Sequence, residues 1–95
     1  MSDYVYSISL GEHLETNKES ICLTPHNNML YYDASENVID CFGLYAKKSV
    51  KSNSIKKLRG NNKHGVTRLV YSEERDSYLI GYDDGVVQEI NIYDL

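Results

Sequence analysis

Apolar and polar residues alternate along several short stretches of this chain, and these stretches return in the same order. Residues 20–24 and 66–72 carry apolar side chains at every second position, for example Leu69 and Tyr71 in the second stretch. This period is what a strand with one buried face requires. A polar turn and a second apolar run follow each stretch, so each predicts the first hairpin of an antiparallel sheet.

The second half of the chain therefore repeats the first. The one-residue differences in spacing fall in turns, where insertions are tolerated. A repeat of this length made of short strands is typical of a propeller blade and favours an interaction scaffold over an enzyme. The aligned pairs are Ile21 with Leu69, Leu30 with Leu79, and Val38 with Val86, at spacings of 48, 49 and 48 residues.

Two further strands are predicted in each repeat. The second strands are centred on residues 29–32 and 78–80, and the third strands cover residues 38–45 and 86–93. Asp83-Asp84-Gly85 separates the last two, and Gly85 tolerates the positive φ that primed hairpin turns require. No stretch shows a sustained helical period with capping residues, so the prediction is an all-β chain of antiparallel, four-stranded, blade-like sheets.

These residues resemble the WD40 repeat over positions 19–95. In the second repeat the resemblance rests on His64, the strand 66–71, Ser72, the turn at 82–86 and the closing Tyr93-Asp94. In the first repeat it rests on Leu23-Thr24-Pro25 and on Phe42. The resemblance implies propeller blades, and it implies that His64 and Asp84 are a structural pair that braces the second blade, next to Gly85.

The chain departs from the WD40 pattern at several positions. It contains no Trp, Ile80 stands where the family has Ser, and Ile90 stands where it has Trp. The hydrogen-bond set of the family is therefore incomplete, and only His64 and Asp84 are carried over.

Length predicts that the propeller is incomplete. Ninety-five residues supply two blades, whereas a closed propeller uses about four to eight. The predicted division is an outer latch strand and linker at 1–18, a first blade with a basic outer loop at 19–63, and a truncated second blade at 64–95. The remaining blades or other protein subunits are the expected partners. Alternatively, residues 4–10 form the dimer contact of a free-standing β-domain.

Charge is distributed unevenly along the chain. All fourteen acidic residues lie outside residues 47–63, a segment that holds seven of the ten basic residues. Lysines on a short edge strand that guard it against unwanted pairing are one explanation. The other explanation is that the segment contacts an acidic protein segment or RNA phosphates. Contact with RNA phosphates would make the chain an RNA-associated assembly factor or ribonucleoprotein subunit, which is the alternative function. The basic residues are Lys47, Lys48, Lys51, Lys56, Lys57, Arg59 and Lys63.

The remaining residues predict no catalysis and no cofactor. The three histidines lie in no catalytic motif, and no nucleophile elbow or Walker loop is present. Cys22, His26 and Cys41 match no zinc spacing, so reduced core cysteines are the prediction. Tyr82 and Asp83 are predicted to contact a protein partner at the rim of the turn. Ordinary composition, without an apolar run long enough to span a membrane, predicts an intracellular protein.

Overall fold

The computed structural model describes residues 20–24 and 27–91, which form two antiparallel sheets and one short helix. The predicted latch strand at 4–10, His26 and the end of the last predicted strand lie outside these residues. The strands are β1 (Ile21–Leu23), β2 (Asn28–Asp33), β3 (Val38–Gly43), β4 (Lys48–Ser54), β5 (Val66–Ser72), β6 (Ser77–Tyr82) and β7 (Val87–Asn91), and the helix is α1 (Ile55–Arg59).

Strands follow one another within each sheet in chain order. The first sheet has the order β1-β2-β3-β4 and the second has the order β5-β6-β7, with every neighbouring pair antiparallel. The prediction of a mostly β chain built from two successive antiparallel sheets is confirmed. Among the described residues, the first sheet has four strands and the second has three.

Several hairpin loops end in a residue with left-handed backbone geometry. Asn37, Lys47 and Asp76 each precede a strand and have φ of 54°, 56° and 50°. Asn and Asp tolerate this region better than other non-glycine residues. The loops thus reverse the chain in four residues, which keeps successive strands adjacent.

One hydrophobic core joins the two sheets. Leu30 and Ile39 of the first sheet cluster with Leu69 and Ile80 of the second, and all four are at most 3% exposed. Since β1 lies beside β5, the sheets pack through one face of each. Burial of this shared face is the main source of stability for a domain of this size.

The structure corrects which residues of β1 face the core. The alternation predicted Ile21 and Leu23 on the buried face, but Leu23 is 65% exposed and Cys22 packs against the core. Pairing explains the difference, because Cys22 lies opposite Leu30, which in turn lies opposite Cys41. In the second sheet the predicted face is confirmed, since Leu69 is buried and Tyr71 packs on the core.

The register of the repeat is also corrected by one residue. The sequence alignment matches Leu30 with Leu79, but Leu30 is buried in the shared core and Leu79 lies on the opposite face of β6, between buried Tyr78 and Ile80. Since side chains alternate along a strand, a one-residue slip exchanges the two faces. Burial therefore excludes Leu79 as the counterpart of Leu30 and leaves its buried neighbours Tyr78 and Ile80 on the equivalent face.

Helix α1 occupies part of the segment predicted to be a basic outer loop. Ser54 caps its N-terminus by accepting a hydrogen bond from the Lys57 N–H at 3.1 Å, and Gly60 ends it at a φ of 82°. Ser before a helix and Gly after it are the residues that favour these positions. The loop prediction was wrong here because the helix is a single short turn with buried Ile55 as its anchor.

Candidate functional site

The turn between β6 and β7 is a three-residue loop that Gly85 closes. The Tyr82 N–H donates to the Val86 carbonyl at 3.0 Å, and the Gly85 N–H donates to the Tyr82 carbonyl at 3.2 Å. Gly85 has a φ of 85°, which confirms the predicted positive value. Neither Asp83 nor Asp84 has a positive φ, so the loop is a regular turn followed by one left-handed residue. The prediction of a primed turn was therefore wrong.

Both aspartates of this turn are fixed by backbone hydrogen bonds. The Gly65 N–H donates to Asp83 Oδ2 at 3.0 Å, and the Val86 N–H donates to Asp84 Oδ1 at 3.2 Å. The Asp83 N–H in turn donates to the Gly65 carbonyl at 3.0 Å. The turn is therefore attached to the chain that enters β5.

Arg59 forms a two-point ion pair with Asp84. Its Nη2 lies 2.7 Å from Asp84 Oδ2 and its Nη1 lies 3.3 Å from Oδ1. The guanidinium also lies 4.3 Å from the centre of the Tyr82 ring, a cation–π contact. The hydrogen bonds from Arg59 lower the pKa of Asp84 to about 2. Arg59 is thus held by a carboxylate and an aromatic ring of the protein itself.

His64 lies against both aspartates. Its Nδ1 is 3.5 Å from Asp83 Oδ1 and 3.6 Å from Asp84 Oδ2. The structure therefore brings together the two residues that the WD40 resemblance implied as a pair. We call His64, Asp83, Asp84 and Arg59 the turn cluster.

Three ligand atoms of the turn cluster lie within 4.8 Å of one another, as they would around a metal ion. The chemistry of the cluster argues against that role. Asp84 is already neutralised by the Arg59 guanidinium, and a divalent cation there would lie beside that positive charge. The arrangement fits an ion-pair network that holds α1 against the β6–β7 turn.

Tyr82 belongs to this network through its hydroxyl group. It donates to Gln88 Oε1 at 2.5 Å, and Gln88 Nε2 donates to the Leu58 carbonyl at 3.0 Å. The ring is 3% exposed. The sequence predicted Tyr82 and Asp83 as partner contacts; burial removes the Tyr82 ring from the surface, whereas Asp83 is exposed.

The first repeat is connected to the same region by Asn37, which the sequence did not single out. Asn37 Oδ1 accepts from the Tyr32 hydroxyl at 2.5 Å. Its Nδ2 lies 3.2 Å from Asn62 Oδ1 and 3.3 Å from the His64 carbonyl. The available signal was positional: an Asn just before an apolar strand, where a left-handed residue ends the turn.

The basic segment divides between strand, helix and connection. Lys48 and Lys51 lie on the edge strand β4, Lys56 and Lys57 lie on α1, and Lys63 lies in the connection to β5; all five are exposed. Lys47 is the left-handed residue that precedes β4. Among residues 20–24 and 27–91, none of these five lysines has a carboxylate within ion-pair distance.

Both cysteines are free thiols, as predicted. Burial, together with a smaller contribution from the nearby Cys41, raises the pKa of Cys22 to about 11. Burial also raises the pKa of Cys41, while the positive charge of Lys51 opposes this. Thiols with raised pKa values are poor nucleophiles, which fits packing residues.

Comparison with known proteins gives no relatives. No protein family, no curated protein and no solved structure matches the chain. In the part of the chain that the structure describes, no helix is long and apolar enough to cross a membrane.

Proposed function

We propose that this chain is a non-catalytic protein-interaction scaffold, a WD40-like propeller segment that works within a larger intracellular complex. The observation that carries the proposal is the succession of two antiparallel meanders, each with strands in chain order, that pack through one face of each. The function is to hold these surfaces in a fixed arrangement for other subunits.

The outer face of the second sheet supports this proposal. Val70 and Val87 lie on this face and are 36% and 67% exposed, and Leu79 lies on it between them. In a propeller, a sheet buries both faces against its neighbours. Glu89, which lies opposite Leu79 on this face, is paired with Arg75, so the three apolar side chains form the part of the face on which the next blade or another subunit would pack.

The two outer edges differ in a way that singles out β7. Strand β4 is irregular opposite Cys41 and Phe42 and carries Lys48 and Lys51, and irregularities and lysines both discourage strand pairing. Strand β7 pairs regularly with β6 and carries no lysine. Of these two edge strands, β7 is therefore the one at which another strand would add.

The orientation of the β7 backbone allows a selective test. Since the closing hydrogen bond joins Tyr82 and Val86, the ladder alternation turns the N–H groups of Gln88 and Ile90 towards β6 and that of Val87 towards the open edge. Proline at 87 would remove an edge donor without removing a ladder hydrogen bond.

The experiment compares the wild-type chain with Val87→Pro and the matched control Val87→Thr. Light scattering over a range of concentrations is expected to show association of the wild type and of Val87→Thr, and its reduction in Val87→Pro, with unchanged far-UV circular dichroism. A wild type that unfolds cooperatively and stays monomeric at all concentrations would contradict the proposal.

A further inference from the structure

An irregularity in β4 places its two lysines on the same face of the sheet. Three positions apart in a regular strand, Lys48 and Lys51 would point to opposite faces. The shift between Cys41 and Phe42 leaves Lys48 opposite Gly43 and Lys51 opposite Cys41, which are alternate residues of β3. Cross-strand partners point to the same side of a sheet, so both lysines share the face on which Cys41 packs against the core. On the edge strand β4 both nevertheless remain exposed.

A third lysine reaches the same face from α1. Asn53 lies opposite Ile39, the next alternate residue of β3, and its Oδ1 accepts a hydrogen bond from Lys57 Nζ at 3.2 Å. The side chain of Asn53 is buried, so it fixes the ammonium group of Lys57 at the end of the row. We call the row of Lys48, Lys51 and Lys57 the basic edge.

The spacing of the basic edge follows from strand geometry. Alternate residues of a strand are about 6.6 Å apart, and Gly43, Cys41 and Ile39 set this interval for the three positions opposite them. Like charges at this interval repel one another, and no described carboxylate lies within ion-pair distance of these lysines. A partner with negative charges at the same interval would relieve that repulsion.

We infer that the basic edge binds an extended peptide segment of another protein that carries acidic side chains at alternate positions. This inference rests on the proposed function and names the chemistry of one partner. Side chains at i, i+2 and i+4 of an extended segment lie on one face about 6.6 Å apart, which is the interval of the strand positions of Lys48, Lys51 and Asn53, so three carboxylates come within reach of the three flexible lysine side chains. Charge complementarity then determines both the partner and its register.

The observations favour a peptide over RNA. Binding of single-stranded nucleic acid combines positive charge with aromatic rings on which bases stack. Strand β4 and helix α1 contain no aromatic residue. Tyr45 is 83% exposed but lies in the loop before β4, and an RNA complex that stacked on it would depend on that residue.

The test uses two synthetic peptides of the same composition, one with Glu alternating with Ser and one with the Glu residues in a block. The variants are Lys48→Gln/Lys51→Gln and the control Lys56→Gln/Lys63→Gln, which removes the same charge from exposed positions outside the row. Two exposed ion pairs of about 0.5 kcal/mol each correspond to a factor of about five, so the first variant is expected to weaken binding of the alternating peptide about fivefold. The control variant is expected to weaken it by less than twofold.

Four results would overturn the inference. Equal binding of the two peptides, or equal losses in the two variants, would show a response to net charge alone. Tighter binding of a uridine 12-mer than of the peptide, with a steep salt dependence and loss on Tyr45→Ser, would assign the surface to RNA. Failure of peptide binding while Val87→Pro still reduces self-association would remove this inference and leave the proposed function in place.

Discussion

Replacing Ile80 with Ala tests whether the two sheets share one core in the register described. Ile80 is fully buried at the centre of the second sheet, so the substitution removes three buried carbon groups, worth about 2.4 kcal/mol at roughly 0.8 kcal/mol each. The residual cavity adds to this cost, and measured substitutions of Ile by Ala in cores cost about 2–5 kcal/mol. We therefore expect Ile80→Ala to lower the free energy of unfolding by about 3–4 kcal/mol.

The adjacent residue provides the matched control. Leu79 has the same number of carbons but lies half-buried on the opposite face of β6. Leu79→Ala leaves no closed cavity, so its cost should be about 1 kcal/mol. A chain of this length has a total stability of about 5–14 kcal/mol, so both variants should fold.

The assay is urea unfolding, followed by far-UV circular dichroism and by tyrosine fluorescence, which the nine tyrosines and the absence of Trp make convenient. A lower midpoint at an unchanged slope would show a loss of stability without a change in the unfolding transition. A larger loss for Leu79→Ala than for Ile80→Ala would refute the register and restore the match of Leu30 with Leu79.

Amide hydrogen exchange completes the test of the shared core. If Ile80 and Leu30 belong to one cooperative unit, Ile80→Ala should lower protection in the first sheet as well as in the second. Unchanged protection at Leu30, with a loss confined to β5, β6 and β7, would show that the sheets unfold separately.

Three further predictions concern the β6–β7 turn. Tyr82→Phe removes the hydrogen bond to Gln88 and should cost about 1 kcal/mol in urea unfolding, whereas Tyr45→Phe at an exposed site should change stability little. Because Arg59 lowers the pKa of Asp84 from 3.8 to about 2, the stability contributed by this ion pair is complete above pH 4 and is lost as pH falls through 2. Asp84→Asn should therefore make the melting temperature less dependent on pH in that window, and an unchanged dependence on pH would refute the assignment. Gly85→Ala should cost about 1–2 kcal/mol through backbone strain alone, because no atom lies within 4 Å of the added carbon, and Gly85→Asn should cost less in thermal unfolding.

Alternation of apolar residues predicted the strands well wherever one face is buried. The strands at residues 28–33, 66–72 and 77–82 lie where the pattern placed them, and Gly85 has the backbone geometry that its turn required. The face of β1 was mispredicted, since three residues are too few for alternation to decide. There the cross-strand pairing with β2 sets the register, and pairing is a property of the hairpin and not of the strand alone.

Prediction of the candidate site had a different limit. The approach of His64 to Asp84 was implied by the WD40 resemblance, but no sequence feature distinguished Arg59 from its neighbouring lysines. Only the fold shows that a residue 25 positions before Asp84 forms its ion pair. The position of Lys48 and Lys51 on one face likewise depends on one irregular position in β4, and no residue type there indicates an irregularity.

The sequential strand order of each sheet has a consequence for how the chain folds. Every strand pair joins neighbours in the sequence, so each hairpin closes only a short loop, and hairpins of this kind form in microseconds. The approach of β1 to β5 spans the longest separation and brings no backbone pairing of its own. We therefore expect docking of the two meanders to set the folding rate, and substitutions at Leu30 and Ile80 to slow folding more than substitutions in the hairpin loops.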